Sequence, residues 1–197
     1  MHVLFRLFLD LLYPPLCLSC GERCAEKHFC AACWELCAPP DPAERCRHCF
    51  AELDERQEVC SKCRAEPDFP VPRAFVFDPK APVWKLRFER EEGIAGFAFN
   101  QWIRLDWSIP DAIVPMPDRD SRSLGKWFSR WLQRPCLKAI KQRGDDLELF
   151  GKGLEEGKEI LLVDGTNPKQ KLQKAVNLLS EAFPKRIHVL SLIPCST

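Results

Sequence analysis

Four Cys-x-x-Cys pairs in the first third of the chain constrain its folding more than any other feature. The pairs are Cys17/Cys20, Cys30/Cys33, Cys46/Cys49 and Cys60/Cys63. Their similar spacing indicates two copies of one small unit, each with two thiol pairs. A Cys-x-x-Cys turn brings two sulfur atoms together, and two such turns that face each other make a tetrahedral four-sulfur site. The pattern therefore predicts two zinc ions.

The spacing leaves the pairing order of the ligands open. In the sequential assignment the first four paired cysteines form one site and the last four form the other, but a cross-braced arrangement has the same spacing. His28 and His48 are alternative ligands, and Cys24 and Cys37 are left over. A full set of sulfur ligands leaves no open coordination position, so the predicted zinc is structural rather than catalytic.

The distribution of cysteine favours metal-bound thiolates over disulfides. Ten of the 12 cysteines lie within residues 17–63. Residues 1–16 are apolar, but Arg6 and Asp10 interrupt them, and the stretch is too short to span a bilayer and lacks the cleavage site of an export signal. We therefore expect a cytoplasmic protein without a membrane span, whose residues 3–12 form an amphipathic helix. Redox-active or disulfide-bonded cysteines are the alternative.

The charge balance excludes a general polyanion-binding protein, because the net charge is only +1. Residues 1–65 carry more Asp and Glu than Lys and Arg, whereas residues 66–197 carry the reverse excess. Four thiolates around Zn²⁺ add a net charge of about −2 per site. Any basic surface is therefore expected in the second part of the chain.

Proline-rich residues 66–72 divide the chain into two predicted domains. Residues 1–66 hold the apolar leader helix and the cysteine module, and residues 67–197 hold an α/β domain. The predicted strands of that domain are residues 74–77, 111–114, 137–140, 159–164 and 187–193. The predicted helices are residues 83–92, 94–107, 124–132 and 169–182. Such alternation indicates a mostly parallel sheet, with Asp164 at the strand end where ligands of such sheets bind.

The chain resembles the ComF family, which is linked to competence for DNA uptake, over nearly its whole length. The resemblance rests on the apolar leader 11–15 before the first cysteine pair, the later pairs, the segment 75–88, Val114-Pro115-Met116-Pro117 and the strand 160–164. It implies a double zinc ribbon joined to a phosphoribosyltransferase-like domain. Competence or DNA-processing proteins are the partners that it implies.

The family's phosphoribosyl pyrophosphate loop is degenerate in this chain. The family pattern is Asp-Asp-Val-x-Thr-Thr-Gly-x-Thr, in which the acids hold ribose hydroxyls and Mg²⁺. The matching stretch here begins Asp164-Gly165-Thr166-Asn167-Pro168-Lys169. Only Asp164 matches, Pro168 removes a backbone donor, and Lys169 offers at most a point charge to phosphate. We therefore predict impaired or absent transferase activity. Mg²⁺ is expected to bind only if phosphoribosyl pyrophosphate still binds. Asp164 is either a relic of ribose binding or a cap for the next helix.

A series of cationic residues follows the second predicted strand at steps of three or four. Its members are Arg119, Arg122, Lys126, Arg130, Arg134, Lys138 and Lys141. On one continuous helix they would form a single charged face, with Trp127, Phe128 and Trp131 among them. Cations interleaved with aromatic rings are typical of single-stranded DNA binding. The alternative is a solvated helix face over an aromatic core, and Pro135 is expected to end or kink the helix.

The leading interpretation is therefore a ComF-like accessory protein that binds single-stranded DNA and protein partners. An active phosphoribosyltransferase in nucleotide metabolism is one alternative. A zinc-ribbon adaptor for protein partners is the other, because an acidic zinc module suits protein contacts better than contacts with DNA.

Overall fold

A computed structural model describes residues 16–17, 19–24, 29–53, 57–82, 91–150 and 153–194. The predicted helix over residues 3–12 lies outside these residues, as do His28 and most of the predicted helix 83–92. No helix within the described part of the chain is long and apolar enough to cross a membrane.

The described elements alternate between helices and strands after the cysteine module. In chain order they are α1 (Ala31–Glu35), α2 (Ser61–Ala65), β1 (Arg73–Phe75), α3 (Glu91–Arg104), β2 (Ala112–Pro115), α4 (Arg119–Leu132), β3 (Ile140–Arg143), β4 (Asp146–Leu149), β5 (Glu159–Asp164), α5 (Lys169–Ser180) and β6 (Arg186–Ser191). A short 3₁₀ helix, Pro42–Glu44, lies between α1 and α2. The chain thus has the predicted α/β fold with an N-terminal cysteine module.

Four of the described strands are parallel and form the central sheet in the order β1-β6-β5-β2. Every residue of β5 is buried, which explains its uninterrupted apolar run. Alternate residues of β5 enter different hydrophobic clusters. Leu161 and Val163 pack with α3, α4 and the cysteine module, whereas Ile160 and Leu162 pack with α5 and β4. The sheet is therefore covered on both faces.

The predicted strand over residues 137–140 is wrong. Ile140 begins β3, which pairs antiparallel with β4 outside the central sheet. Gly144, with a φ of 60°, is the first residue of the two-residue turn between them. Gly144 and the alternation of polar and apolar residues along Asp146–Leu149 are the sequence signals for this hairpin.

Helix α4 is longer at its start than predicted. Asp118 caps it by accepting a hydrogen bond from the Ser121 backbone N–H at 2.9 Å, so the helix begins at Arg119. It ends at Leu132, and Gln133 follows in the left-handed conformation at a φ of 52°. The predicted end of the helix before Pro135 is confirmed.

The cysteine module packs directly against the α/β part of the chain. Phe50 is buried and meets Phe75 edge to face, with ring centroids 5.0 Å apart. The Arg73 backbone N–H donates to the His48 carbonyl at 2.8 Å, and the buried Gln101 side chain donates to the Pro40 carbonyl at 2.9 Å. These contacts cross the predicted boundary at residue 66. The division into two domains stays a prediction.

Candidate functional site

Two clusters of four cysteines lie in the module, and their members follow the sequential assignment. The first cluster is Cys17, Cys20, Cys30 and Cys33, and the second is Cys46, Cys49, Cys60 and Cys63. Within each cluster all sulfur atoms lie within 4.8 Å of one another. A cross-braced pairing is incompatible with this arrangement.

The separations between sulfur atoms match zinc better than disulfides. Cys20 Sγ lies 3.7 Å from Cys30 Sγ, and Cys49 Sγ lies 3.8 Å from Cys60 Sγ. Tetrahedral ligands at the usual Zn–S distance lie roughly 3.8 Å apart. Disulfide sulfur atoms lie only about 2 Å apart. The two clusters therefore fit two structural zinc sites.

The two sites are built by the same local folding. In the first, the Cys17 N–H donates to the Glu22 carbonyl, and in the second the Cys46 N–H donates to the Ala51 carbonyl. The second pair of each site begins at the cap of a five-residue helix: Cys30 precedes α1 and Cys60 precedes α2. This correspondence confirms the two copies of one unit that the spacing predicts.

The thiols of the first cluster need a cation in order to ionise together. Burial acts to raise the pKa of Cys17, but backbone N–H groups of Cys20, Cys30 and Ser19 outweigh it and lower that pKa to about 6. A side-chain hydrogen bond with Ser19 acts to lower the pKa of Cys33, but burial and the hydrogen bonds with Cys17 and Cys30 together outweigh it, so this pKa is raised. Four thiols at this separation cannot all ionise unaided. A divalent ion supplies the charge that lets them do so.

The degenerate loop after β5 begins at Asp164, which is completely buried. Its Oδ1 accepts hydrogen bonds from the Asn167 backbone N–H at 3.2 Å and from the Asn167 side-chain amide at 2.6 Å. Its Oδ2 has no hydrogen-bond partner among the described residues. Burial, with a smaller contribution from the Asp118 carboxylate, raises the pKa of Asp164 to about 7. Asp164 thus closes the turn that precedes α5.

The start of α4 closes over the same loop. Ser121 Oγ accepts the Gly165 backbone N–H at 2.7 Å and donates to Asp118 Oδ2 at 2.6 Å. The Asn167 amide also donates to Asp118 Oδ2, at 2.7 Å. Burial acts to raise the pKa of Asp118, but hydrogen bonds from Ser121 and Asn167 lower it below the usual range. The Gly165 N–H, which a phosphate cradle would present to a ligand, is thus already bonded to protein.

The other residues of the loop are not arranged as a phosphate site either. A Cβ atom at Gly165 would lie 3.0 Å from Asp120 Cβ. Lys169 is paired with Asp68 at 2.5 Å rather than directed into the loop, and Thr166 is exposed. Asp118, Ser121 and Asn167 were not predicted as residues of this site, although Asp118 three residues before Ser121 is a typical helix cap.

The cationic face of α4 comprises Arg119, Arg122, Lys126, Arg130 and Trp127. These residues border an open groove of about 500 Å³ together with Ser123. The Arg130 guanidinium lies over the Trp127 ring, 5.7 Å from its centroid. Trp127 in turn packs on Trp131 at 5.4 Å. Single-stranded DNA binding by this face stays a prediction.

Three members of the predicted cationic series do not belong to this face. Arg134 and Lys138 follow the end of α4, and Lys141 lies on β3, where its ammonium group is 3.2 Å from the Phe150 ring centroid. The helix ends before these residues, as expected from Pro135, so one continuous charged face through Lys141 does not form. The left-handed residue Gln133 redirects the chain before these cations.

Comparison with known families identifies the cysteine module. Residues 8–64 match the family model described as a double zinc ribbon domain, and this range contains all eight paired cysteines. No curated protein matches the chain. The family match therefore covers the zinc-binding module and leaves the function of the α/β part open.

Proposed function

We propose that this chain binds single-stranded DNA through the cationic face of α4, as a ComF-like accessory protein of DNA uptake. The observation that carries the proposal is the set of three exposed cations, Arg122, Lys126 and Arg130, at successive turns of one helix. None of the three forms a salt bridge with another described residue. Their charge is therefore available to a phosphate backbone.

Trp127 supplies the second component of such a site. It is half-buried, and Trp131 and Arg130 hold its ring at the edge of the groove. Stacking of a base on an aromatic side chain suits single strands, because their bases are free to leave a helical stack. A groove that joins cations to an anchored ring favours single-stranded over double-stranded DNA.

The geometry of the loop after β5 argues against the alternative of an active phosphoribosyltransferase. The Gly165 N–H and the Asp118 carboxylate are engaged in protein hydrogen bonds, and Lys169 is engaged by Asp68. We propose that this loop is a structural turn that positions the start of α4. Mg²⁺ has no role in the proposed function.

The zinc module is proposed to have a structural role and to contact protein partners. Zinc sites with four thiolates carry a net negative charge, which repels DNA. Leu16 and Leu36 are exposed on the first ribbon and are apolar, which suits a protein contact. Competence or DNA-processing proteins are the partners that the ComF resemblance favours. Metal-bound thiolates favour a cytoplasmic location.

A salt titration tests the proposal with matched charge reversals. The test protein carries Arg122→Glu, Lys126→Glu and Arg130→Glu. The control carries Arg23→Glu, Lys80→Glu and Lys138→Glu, three exposed cations that lie off α4. Binding of labelled oligothymidylate and of a duplex is followed by fluorescence anisotropy.

We expect the unmodified protein and the control to prefer the single strand. The α4 variant should lose most of that binding. The slope of log K against log salt concentration should become less negative by roughly 2, because three phosphate contacts are lost. Equal single-strand affinity in the α4 variant and the unmodified protein would refute the proposal. Loss of binding in both the α4 variant and the control variant would show that binding depends on the net charge of the protein and not on this face.

A further inference from the structure

A second cavity lies between the second zinc ribbon and the sheet. Its volume is about 590 Å³, and its walls include Arg45 and Arg47 from the ribbon, Arg73 from β1, Arg104 from the end of α3, and Trp107. Buried Phe50 lies at the junction that forms the cleft. Arg73 is the first residue of β1, so the cleft lies at the amino-terminal ends of the parallel strands. Asp164 is the last residue of β5 and lies at the carboxyl-terminal ends of these strands.

The four arginines of this cleft differ in their partners. Arg47 pairs with Glu58, and Arg104 pairs with Asp41, each at 3.3 Å. Arg45 and Arg73 have no carboxylate partner among the described residues. The guanidinium group of Arg73 is instead 5.0 Å from the centroid of the Phe69 ring. Counting salt bridges among the described residues, the cleft retains two cations, Arg45 and Arg73, against one acid, Asp106.

Trp107 gives the cleft a fixed planar surface. One face of its indole stacks on the His188 imidazole, with ring centroids 4.4 Å apart and an angle of 6° between the planes. Burial and the nearby Arg186 lower the pKa of His188 to about 4, so the imidazole is neutral at pH 7. The indole is thus held by an uncharged ring on β6 while it borders the cleft. A rigid ring of this kind suits stacking by a ligand.

We propose that this cleft binds a nucleoside phosphate, with the base against Trp107 and the phosphate paired with Arg45 and Arg73. The cavity volume falls within the range usual for small-ligand sites. A guanidinium group binds phosphate oxygens through two parallel hydrogen bonds. Arg45 and Arg73 are suited to this role because neither has a carboxylate partner among the described residues. Arg47 and Arg104 are held by their carboxylate partners and shape the rim.

The proposal goes beyond the DNA-binding function and does not depend on it. The cleft shares no residue with the cationic face of α4, and it lies at the other edge of the sheet from the loop after β5. Adenosine monophosphate is a suitable probe, because it is too small to report multiple phosphate contacts along a strand. The α4 charge-reversal variant should bind this probe as the unmodified protein does.

Isothermal titration of the full zinc-loaded chain tests the assignment. Adenosine monophosphate, adenosine and inorganic phosphate are titrated separately into the unmodified protein and into Arg45→Gln, Trp107→Leu and Arg47→Gln. The last variant is the matched control, because its arginine lines the same cleft but is paired with Glu58. Zinc content and circular dichroism establish that each variant is folded.

We expect Arg45→Gln to weaken nucleotide binding at least about tenfold, as loss of a charged hydrogen bond does. Trp107→Leu should weaken it by a similar factor, whereas Arg47→Gln should change it by less than about threefold. Absence of nucleotide binding to the unmodified protein, or equal affinity in Arg45→Gln, would overturn the proposal. Nucleotide binding no tighter than that of inorganic phosphate would overturn the role of Trp107.

Discussion

Phe50 of the second zinc ribbon meets Phe75 of β1 edge to face, with ring centroids 5.0 Å apart. Phe50 occupies the position after the second cysteine of its pair, where the first ribbon has Gly21. Both residues adopt a positive φ, 61° for Phe50 and 77° for Gly21. A phenylalanine in this conformation is strained, so its ring must contribute more packing energy than the backbone loses.

Phe50→Ala should therefore destabilise the protein strongly. We expect a loss of about 3–5 kcal/mol in the free energy of unfolding, because a buried aromatic ring is replaced by a cavity. The matched control is Phe183→Ala, since Phe183 also has a positive φ, of 49°, but is 73% exposed. Its effect should stay within about 1 kcal/mol. Equal effects in urea denaturation would show that the ring of Phe50 does not anchor the ribbon.

Metal analysis of freshly purified protein should give two zinc ions per chain. Cys63→Ser removes a buried ligand of the second site and should lower the content to one, with a loss of stability because metal binding drives folding of the module. The control is Cys37→Ser, which alters a buried thiol outside both four-sulfur sets and should leave the zinc content unchanged. A content below one zinc in the unmodified protein would contradict both sites.

Asp164 should make stability depend on pH in an unusual direction. Its pKa is about 7 in the folded chain and near 4 when unfolded, so between these values the folded state binds more protons. The contribution of Asp164 to stability is therefore largest below about pH 4, falls as the pH rises towards 7, and is constant above.

Asp164→Asn tests this direction, because it removes the titration and nearly preserves the shape. The melting temperature of the variant relative to the unmodified protein should rise between about pH 5.5 and 7.5. Both proteins carry the same zinc sites, so the comparison cancels the pH dependence of the thiolates. A difference that is flat across this range would mean that the folded-state pKa of Asp164 is ordinary.

The loop after β5 should not accept phosphoribosyl pyrophosphate. Calorimetric titration with the substrate and Mg²⁺ should give no micromolar binding, because the Gly165 N–H is bonded to Ser121. Tight, magnesium-dependent binding would refute this expectation and restore the enzymatic alternative.

The closeness of this loop to α4 can be tested without a ligand. Gly165→Ala should destabilise the protein by about 1–3 kcal/mol, because its Cβ would crowd Asp120. Gly96→Ala is the matched change in α3, where the added Cβ would lie more than 4 Å from every atom beyond its chain neighbours and the nearby backbone of its own helix, and it should stabilise by about 0.5–1 kcal/mol. Thermal or urea unfolding of both variants distinguishes the two sites. A neutral Gly165→Ala would indicate that the loop can open.

The features that the sequence predicted well are those determined locally. The cysteine pairs predict two sites because each turn needs only four residues, and β5 is evident because burial on both faces requires an unbroken apolar run. The hairpin β3–β4 could be predicted from Gly144 and the alternation along β4, but residues 137–140 before it resembled a strand of the central sheet. The end of α4 followed from Pro135.

The features that the sequence did not predict depend on contacts between distant parts of the chain. Ser121 reaches Gly165, and Asn167 reaches Asp118, only after β2 and β5 are paired in register. Trp107 stacks on His188, which lies 81 residues later in the chain, and no periodicity in the sequence links the two positions. Such juxtapositions arise from the tertiary fold, so a single sequence carries no local signal for them.

The sequential assignment of the zinc ligands has a consequence for biosynthesis. Each four-sulfur set is complete within one short segment, so each ribbon can take up its metal soon after that segment leaves the ribosome. The sheet must wait, because β1 pairs with β6, the last described strand. We expect the metal-loaded module to present Phe50 during this interval, before its partner face has formed. The order of synthesis thus gives the nascent α/β part a folded surface on which to assemble.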